Sequence, residues 1–141
     1  MAMSEFARPI DVTRLGAGET VYDIAASETE RAALAKRFDL VALGKLTARV
    51  TLRRLPGGLV RLTATLAAEL VQTDVVTLDQ VPARVDDDFT LLFGKDPGDA
   101  AALDPEAELV EPLIDGRIDI GEAVAQQLSL AMDPYPRAPP A

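Results

Sequence analysis

The sequence predicts an α+β fold. The expected architecture is an antiparallel sheet of four to six strands, with room to curl toward a barrel, covered by two helices and carrying a long acidic loop. Three observations point there. Residues 46–70 alternate apolar and polar with period two on either side of Pro56-Gly57-Gly58, the pattern of a long hairpin with one buried face. Ser27-Glu28-Thr29-Glu30 is a capping box that opens a first helix. Asp119 with Glu122 three residues on opens a second, in which Ile120, Val124, Leu128 and Ala131 form one apolar stripe. The 141 residues suit one domain, 1–141. Apolar residues make up 48% and aromatic ones only 4%, so Leu, Val, Ile and Ala must fill the core.

In chain order, residues 1–8 carry few structural signals and read as a loose tail. Residues 9–15, with Ile10, Val12 and Leu15, read as a strand ending at Gly16-Ala17-Gly18. The first helix should run from the Ser27 cap to about Phe38, packing Ala32, Leu34, Ala35 and Phe38 inward. In the hairpin, Leu46, Ala48, Val50 and Leu52 face the core from one strand, and Val60, Leu62, Ala64, Leu66, Ala68 and Leu70 from the other. Residues 71–78 continue the strand pattern less cleanly, and Val81-Pro82 marks an interruption. Residues 83–93 form a further strand with Val85, Phe89 and Leu91. Residues 94–116 are polar, acidic and rich in Pro and Gly, and read as a long surface loop with a short apolar stop at Leu109-Val110. The second helix spans 120–131 and stops at Asp133-Pro134, because a residue before proline avoids the α region. A proline-rich tail, 134–141, follows.

Several function classes drop out on composition. The chain contains no Cys and no His, which removes disulfides, thiolate nucleophiles, Cys-type zinc sites, Ser-His triads and imidazole acid/base chemistry. No apolar run approaches a membrane span and no leader pattern opens the chain, so the expectation is a soluble cytoplasmic protein with no membrane partner. Net charge is −9, but the charge is segregated. Residues 31–61 carry eight bases against one acid, while residues 74–122 carry fourteen acids against three bases. Such a chain is able to present a basic face and an acidic face together.

The hairpin holds the first candidate site. Lys45, Arg49 and Arg53 recur every four residues on the polar side of one strand, and Arg61 falls on the polar side of its partner. Thr47, Thr51, Thr63 and Thr65 stand between them. Guanidinium and hydroxyl groups suit phosphate and ribose. Without interleaved aromatic rings, any RNA contact here would read backbone or shape and not stack bases. The competing interpretation is a solvated sheet face. The second candidate is Tyr135 with Arg137, an aromatic and cationic pair locked between prolines, either docked on the domain or presented to a partner. The case for an enzyme is thin: Gly16-Ala17-Gly18 is no phosphate loop, the serines have no base, and no cofactor is implied. Asp86-Asp87-Asp88 would need adjacent carboxylates on one face of a strand to hold a metal; at most Asp86 and Asp88 share one.

Three segments carry a family resemblance. They are the helix-forming run 27–37, the central run 71–85 and, most specific, the run 118–137 that ends in Met132-Asp133-Pro134-Tyr135-Pro136-Arg137. Together with the pattern of nearly the whole chain, they resemble the YceD family, the bacterial large ribosomal RNA subunit accumulation proteins. The resemblance implies a non-catalytic part in 23S ribosomal RNA accumulation or processing, or in large ribosomal subunit assembly. It implies ribosomal RNA or a ribosomal precursor as partner, contacted through the basic hairpin. The alternative is an acidic adaptor for a basic partner such as a ribosomal protein. The family brings no established catalytic residues. It usually has a Cys in the central segment where this chain has Asp74, so a thiol or metal role at that point does not operate here.

Overall fold

The structure is a computed structural model and describes residues 5–16, 18–94, 110–113 and 116–132. Its elements are β1 (Pro9–Asp11), a 3-10 turn (Val12–Arg14), β2 (Glu19–Ala25), α1 (Glu28–Arg37), β3 (Ala42–Leu55), β4 (Leu59–Thr73), β5 (Gln80–Gly94), β6 (Val110–Pro112), β7 (Arg117–Asp119) and α2 (Ile120–Ala131). Strands β2, β3, β4 and β5 form an antiparallel sheet in chain order, and β6 extends it with a short parallel pairing to Leu92–Gly94. β1 and β7 pair separately. The fold is the predicted α+β sheet, with two α-helices among the described residues. The sheet stays open and does not close into a barrel.

The period-two pattern sets the faces. Leu46, Val50 and Leu52 of β3 and Leu62, Leu66 and Leu70 of β4 are buried, and register pairs Leu52 with Leu62 and Val50 with Ala64. Both helices lie on this side. Leu34 of α1 and Ile120, Val124 and Leu128 of α2 are fully buried in the same core. The Ser27 capping box forms in full, with the Ser27 Oγ accepting from the Glu30 N–H and Glu30 Oε1 accepting from the Ser27 N–H. The Asp119 carboxylate caps α2 by accepting from the Glu122 N–H at 3.0 Å. Among the described residues the other side of the sheet carries no helix.

Several expectations need correction. Residues 5–8 are not a loose tail: Phe6 is fully buried, and the Arg8 backbone N–H donates to Asp119 at 2.8 Å. The Arg8 guanidinium donates to both oxygens of Glu30 at 2.7 and 2.8 Å. Residues 9–15 begin as β1 but turn into a 3-10 turn after Asp11, whose side chain accepts from the Thr13 N–H. β2 was hidden because Val21 and Tyr22 are adjacent apolar residues that break clean alternation; Tyr22 and Ile24 pack on the core while Val21 is exposed. Ala32 and Ala131 face outward. Residues 71–78 are not one strand: β4 stops at Thr73 and a turn follows. β5 runs straight through Pro82, which is tolerated because β6 pairs only with Leu92–Gly94 and, among the described residues, no ladder lies on the outer side at Pro82. Val110 of the apolar stop in the acidic loop begins β6. Residues 95–109 of that loop lie outside the described residues, as does the tail with Tyr135 and Arg137.

Candidate binding face on the open side of the sheet

Register places all four hairpin bases on the open side. Reading across β2, β3, β4 and β5, the rows are Glu19–Arg53–Arg61–Leu92, Val21–Thr51–Thr63–Thr90, Asp23–Arg49–Thr65–Asp88 and Ala25–Thr47–Ala67–Asp86. Below them, Lys45 faces Glu69, which faces Arg84 on β5. The face is therefore not one basic patch. Lys45, Arg49, Arg53, Arg61 and Arg84 share it with Glu19, Asp23, Glu69, Asp86 and Asp88.

Local chemistry sharpens this. Arg49 Nε donates to Asp23 at 2.8 Å, and that bond holds the Asp23 carboxyl below its ordinary range and raises the Arg49 guanidinium. Arg84 Nε donates to Asp86 at 2.9 Å along the edge strand. Lys45 and Arg53 form no ion pair among the described residues. Arg53 and Arg61 stand directly opposite each other, the place on this face where two cations meet across strands.

Between the Asp23–Arg49 pair and the β5 carboxylates the face sinks into a shallow trough of about 870 Å³. Its floor is small, built from Ala25, Thr47, Thr65 and Ala67, with Asp86 and Asp88 along one side. Alternation decides which of the three consecutive carboxylates reach it. Asp86 and Asp88 point to the open side, while Asp87 lies on the helix side and accepts from the Gln127 side chain of α2 at 2.8 Å. Asp88 makes no ion pair among the described residues. Among the described residues no group of three or more Asp, Glu, His or Cys side chains is placed to hold a metal ion. No helix among them is long and apolar enough to cross a membrane.

Sequence reasoning found the four bases but missed the acids between them. Glu19 and Asp23 belong to β2, whose broken alternation concealed it. The pairing of β5 with β4 brings Asp86 and Asp88 alongside Ala67 and Thr65, a long-range consequence that charge counting along the chain does not reveal. Asp74, at the position where the resemblance places a Cys, is 1% exposed and serves the β4–β5 turn. Its Oδ1 accepts from the backbone N–H groups of Val76 and Thr77 at 2.7 and 3.0 Å. Comparison with family models, curated proteins and solved structures gives no match for this chain. The YceD resemblance rests on the sequence alone.

Proposed function

We propose that this protein is a non-catalytic, cytoplasmic factor in large ribosomal subunit assembly and 23S ribosomal RNA accumulation. It works by binding, and its open sheet face engages a basic protein segment such as one from a ribosomal protein. The YceD resemblance supplies the ribosomal setting. The observation that carries the mode of binding is the mixing of charge on the open face. Arg49 is engaged by Asp23, and the trough beside it is bordered by Asp86 and Asp88. A floor of Ala and Thr leaves room for long Lys or Arg side chains to lie across it, and a chain of net charge −9 attracts a basic partner over distance.

The test is co-sedimentation of the full chain with purified large-subunit particles, and titration with the proteins extracted from them. The double change Asp86→Asn/Asp88→Asn should weaken binding by roughly tenfold, taking about 1 kcal/mol or less from each exposed carboxylate. The double change Arg53→Gln/Arg61→Gln should leave it nearly intact. Binding that ignores the aspartates, disappears with nuclease and needs the two arginines would overturn this mode.

That outcome belongs to a second interpretation, contact with RNA phosphates, which the Arg53–Arg61 juxtaposition favours. Two cations directly opposite are poorly matched to each other and well matched to an anion. With Arg49 paired to Asp23, the log–log salt slope on RNA should be shallower than the roughly −3 expected if all four bases engaged phosphates.

A further inference from the structure

The β4–β5 turn is an apolar point where turns are normally polar. Val75, Val76 and Leu78 are 52%, 65% and 74% exposed. Gly, Asn, Asp and Pro ordinarily fill such positions, each for a conformational reason that a branched aliphatic side chain lacks. Leu78 has a φ of 64°, in the left-handed region that favours glycine. One residue thus carries two penalties, backbone strain and a large apolar side chain in water.

The turn is nevertheless rigidly built. Buried Asp74 accepts from Val76 and Thr77 through its carboxylate. Its own N–H donates to the Asp79 carbonyl at 2.8 Å, and its carbonyl accepts from Leu78 at 2.9 Å. The three aliphatic side chains are therefore held in one arrangement, so a partner that covers them orders little chain. Behind the tip the surface stays apolar for one row before Glu69 and Arg84 follow. Ala42, Val71 and Pro82 stand in one cross-strand row beside a depression of about 450 Å³.

We propose that this turn is a preorganised apolar anchor that inserts into a hydrophobic pocket of a basic protein partner. It is a second contact beyond the open-face trough, and the choice of probe below rests on the proposed ribosomal function. The alternatives fit poorly. Three aliphatic side chains offer roughly 300 Å², well below the ~800 Å² per partner of a stable interface, which suits an anchor added to the open-face contact and not a dimer seam of its own, and two copies of a chain of net charge −9 repel each other. The tip carries no base and no aromatic ring, and the chain's net charge of −9 opposes an anionic bilayer. Aliphatic side chains do not stack on nucleobases. The turn's own charges are carboxylates, Asp74 turned inward and Asp79 outward, which suits a pocket with a cationic rim.

The experiment measures stability and binding on the same variants. Leu78→Gly relieves the strain, and the isolated chain should melt at the parent temperature or a few degrees above it. A clear fall in melting temperature would show that Leu78 stabilises the fold and would overturn the inference. Val76→Ser/Leu78→Gly should weaken co-sedimentation with purified large-subunit particles at least about tenfold while the chain stays folded. It should equally weaken binding to the protein fraction extracted from those particles, which separates a protein pocket from RNA. If the parent chain binds the particles and the double variant binds equally, the anchor is refuted and the proposed function stands. If the parent chain binds neither particles nor extracted proteins, both are refuted.

Discussion

Gly121 is the position where helix propensity and tertiary structure make opposite predictions. On an isolated helix, Gly→Ala stabilises by up to about 1 kcal/mol. Here the segment before β1 crosses α2 at this residue. An added Cβ would stand 3.0 Å from the Phe6 carbonyl carbon and closer still to its oxygen, and 3.2 Å from Arg8 Cγ. Backbone on one side and a helix on the other leave the crossing segment as the part that must move. Lifting it exposes Phe6, now fully buried, at about 2–3 kcal/mol. It also breaks the Arg8 N–H bond to Asp119 and the Ile120 N–H bond to the Arg8 carbonyl, at about 1 kcal/mol each. Against a gain of at most about 1 kcal/mol, Gly121→Ala should therefore cost about 3 kcal/mol, or about 10 °C in melting temperature. Urea unfolding of Gly121→Ala, Phe6→Ala and the double variant measures it. Because both changes detach the same segment, their costs should not add. A Gly121→Ala variant as stable as its parent, or costs that sum in the double variant, would refute this account of how residues 5–8 are held.

Leu128 is fully buried beneath α2, so Leu128→Ala should lower unfolding free energy by roughly 2–5 kcal/mol, and an unchanged urea midpoint would remove α2 from the core. Arg8 holds the Glu30 carboxyl at about 2, against 4.5 when free. A lowered folded value means stability that is complete above pH 4.5 and lost as pH falls toward 2. The Glu30 side chain keeps 22% of its exposure, so after solvent screening Glu30→Gln should cost about 1 kcal/mol at neutral pH and nearly nothing near pH 2; a pH-independent difference would contradict the pairing. Asp74→Ala removes the acceptor for two turn N–H groups and should cost about 1–2 kcal/mol by denaturant titration, with faster amide exchange at Val76 and Thr77 as the local signature.

What the sequence revealed follows from the range of the interactions involved. Caps and alternation are local, so both helix starts and the inward residues of β3 and β4 could be read directly. The Ser27 box and the Asp119 cap depend on residues three apart, and both form. Phe6 is buried by α2, more than a hundred residues away in the chain, and nothing adjacent to it announces that. The β4–β5 turn deceived for a different reason. Val75 and Val76 are strong strand formers, and the turn is imposed on them by Asp74, whose carboxylate takes the N–H groups that a continuing strand would have offered to a neighbour. Where local propensity and structure disagree this sharply and large apolar side chains stay exposed, a functional role is the physical explanation to test first.

The charge pattern carries the same lesson to the binding face. Along the chain, bases and acids occupy separate stretches. Antiparallel pairing folds the acidic stretch beside the basic one, and β2 adds Asp23 and Glu19 on the far side of Arg49 and Arg53. The result is a face on which acids and bases share rows. A phosphate backbone, uniformly negative, matches only the Arg53–Arg61 end of such a face. A protein segment with spaced basic and polar side chains is able to match the rest, placing cations near Asp86 and Asp88 and leaving Arg49 with Asp23. Register, and not composition, is thus the ground on which the proposed function prefers a protein partner to nucleic acid for this surface. It also makes the choice measurable, because the two partners depend on different residues, two aspartates on β5 or two arginines at the hairpin end.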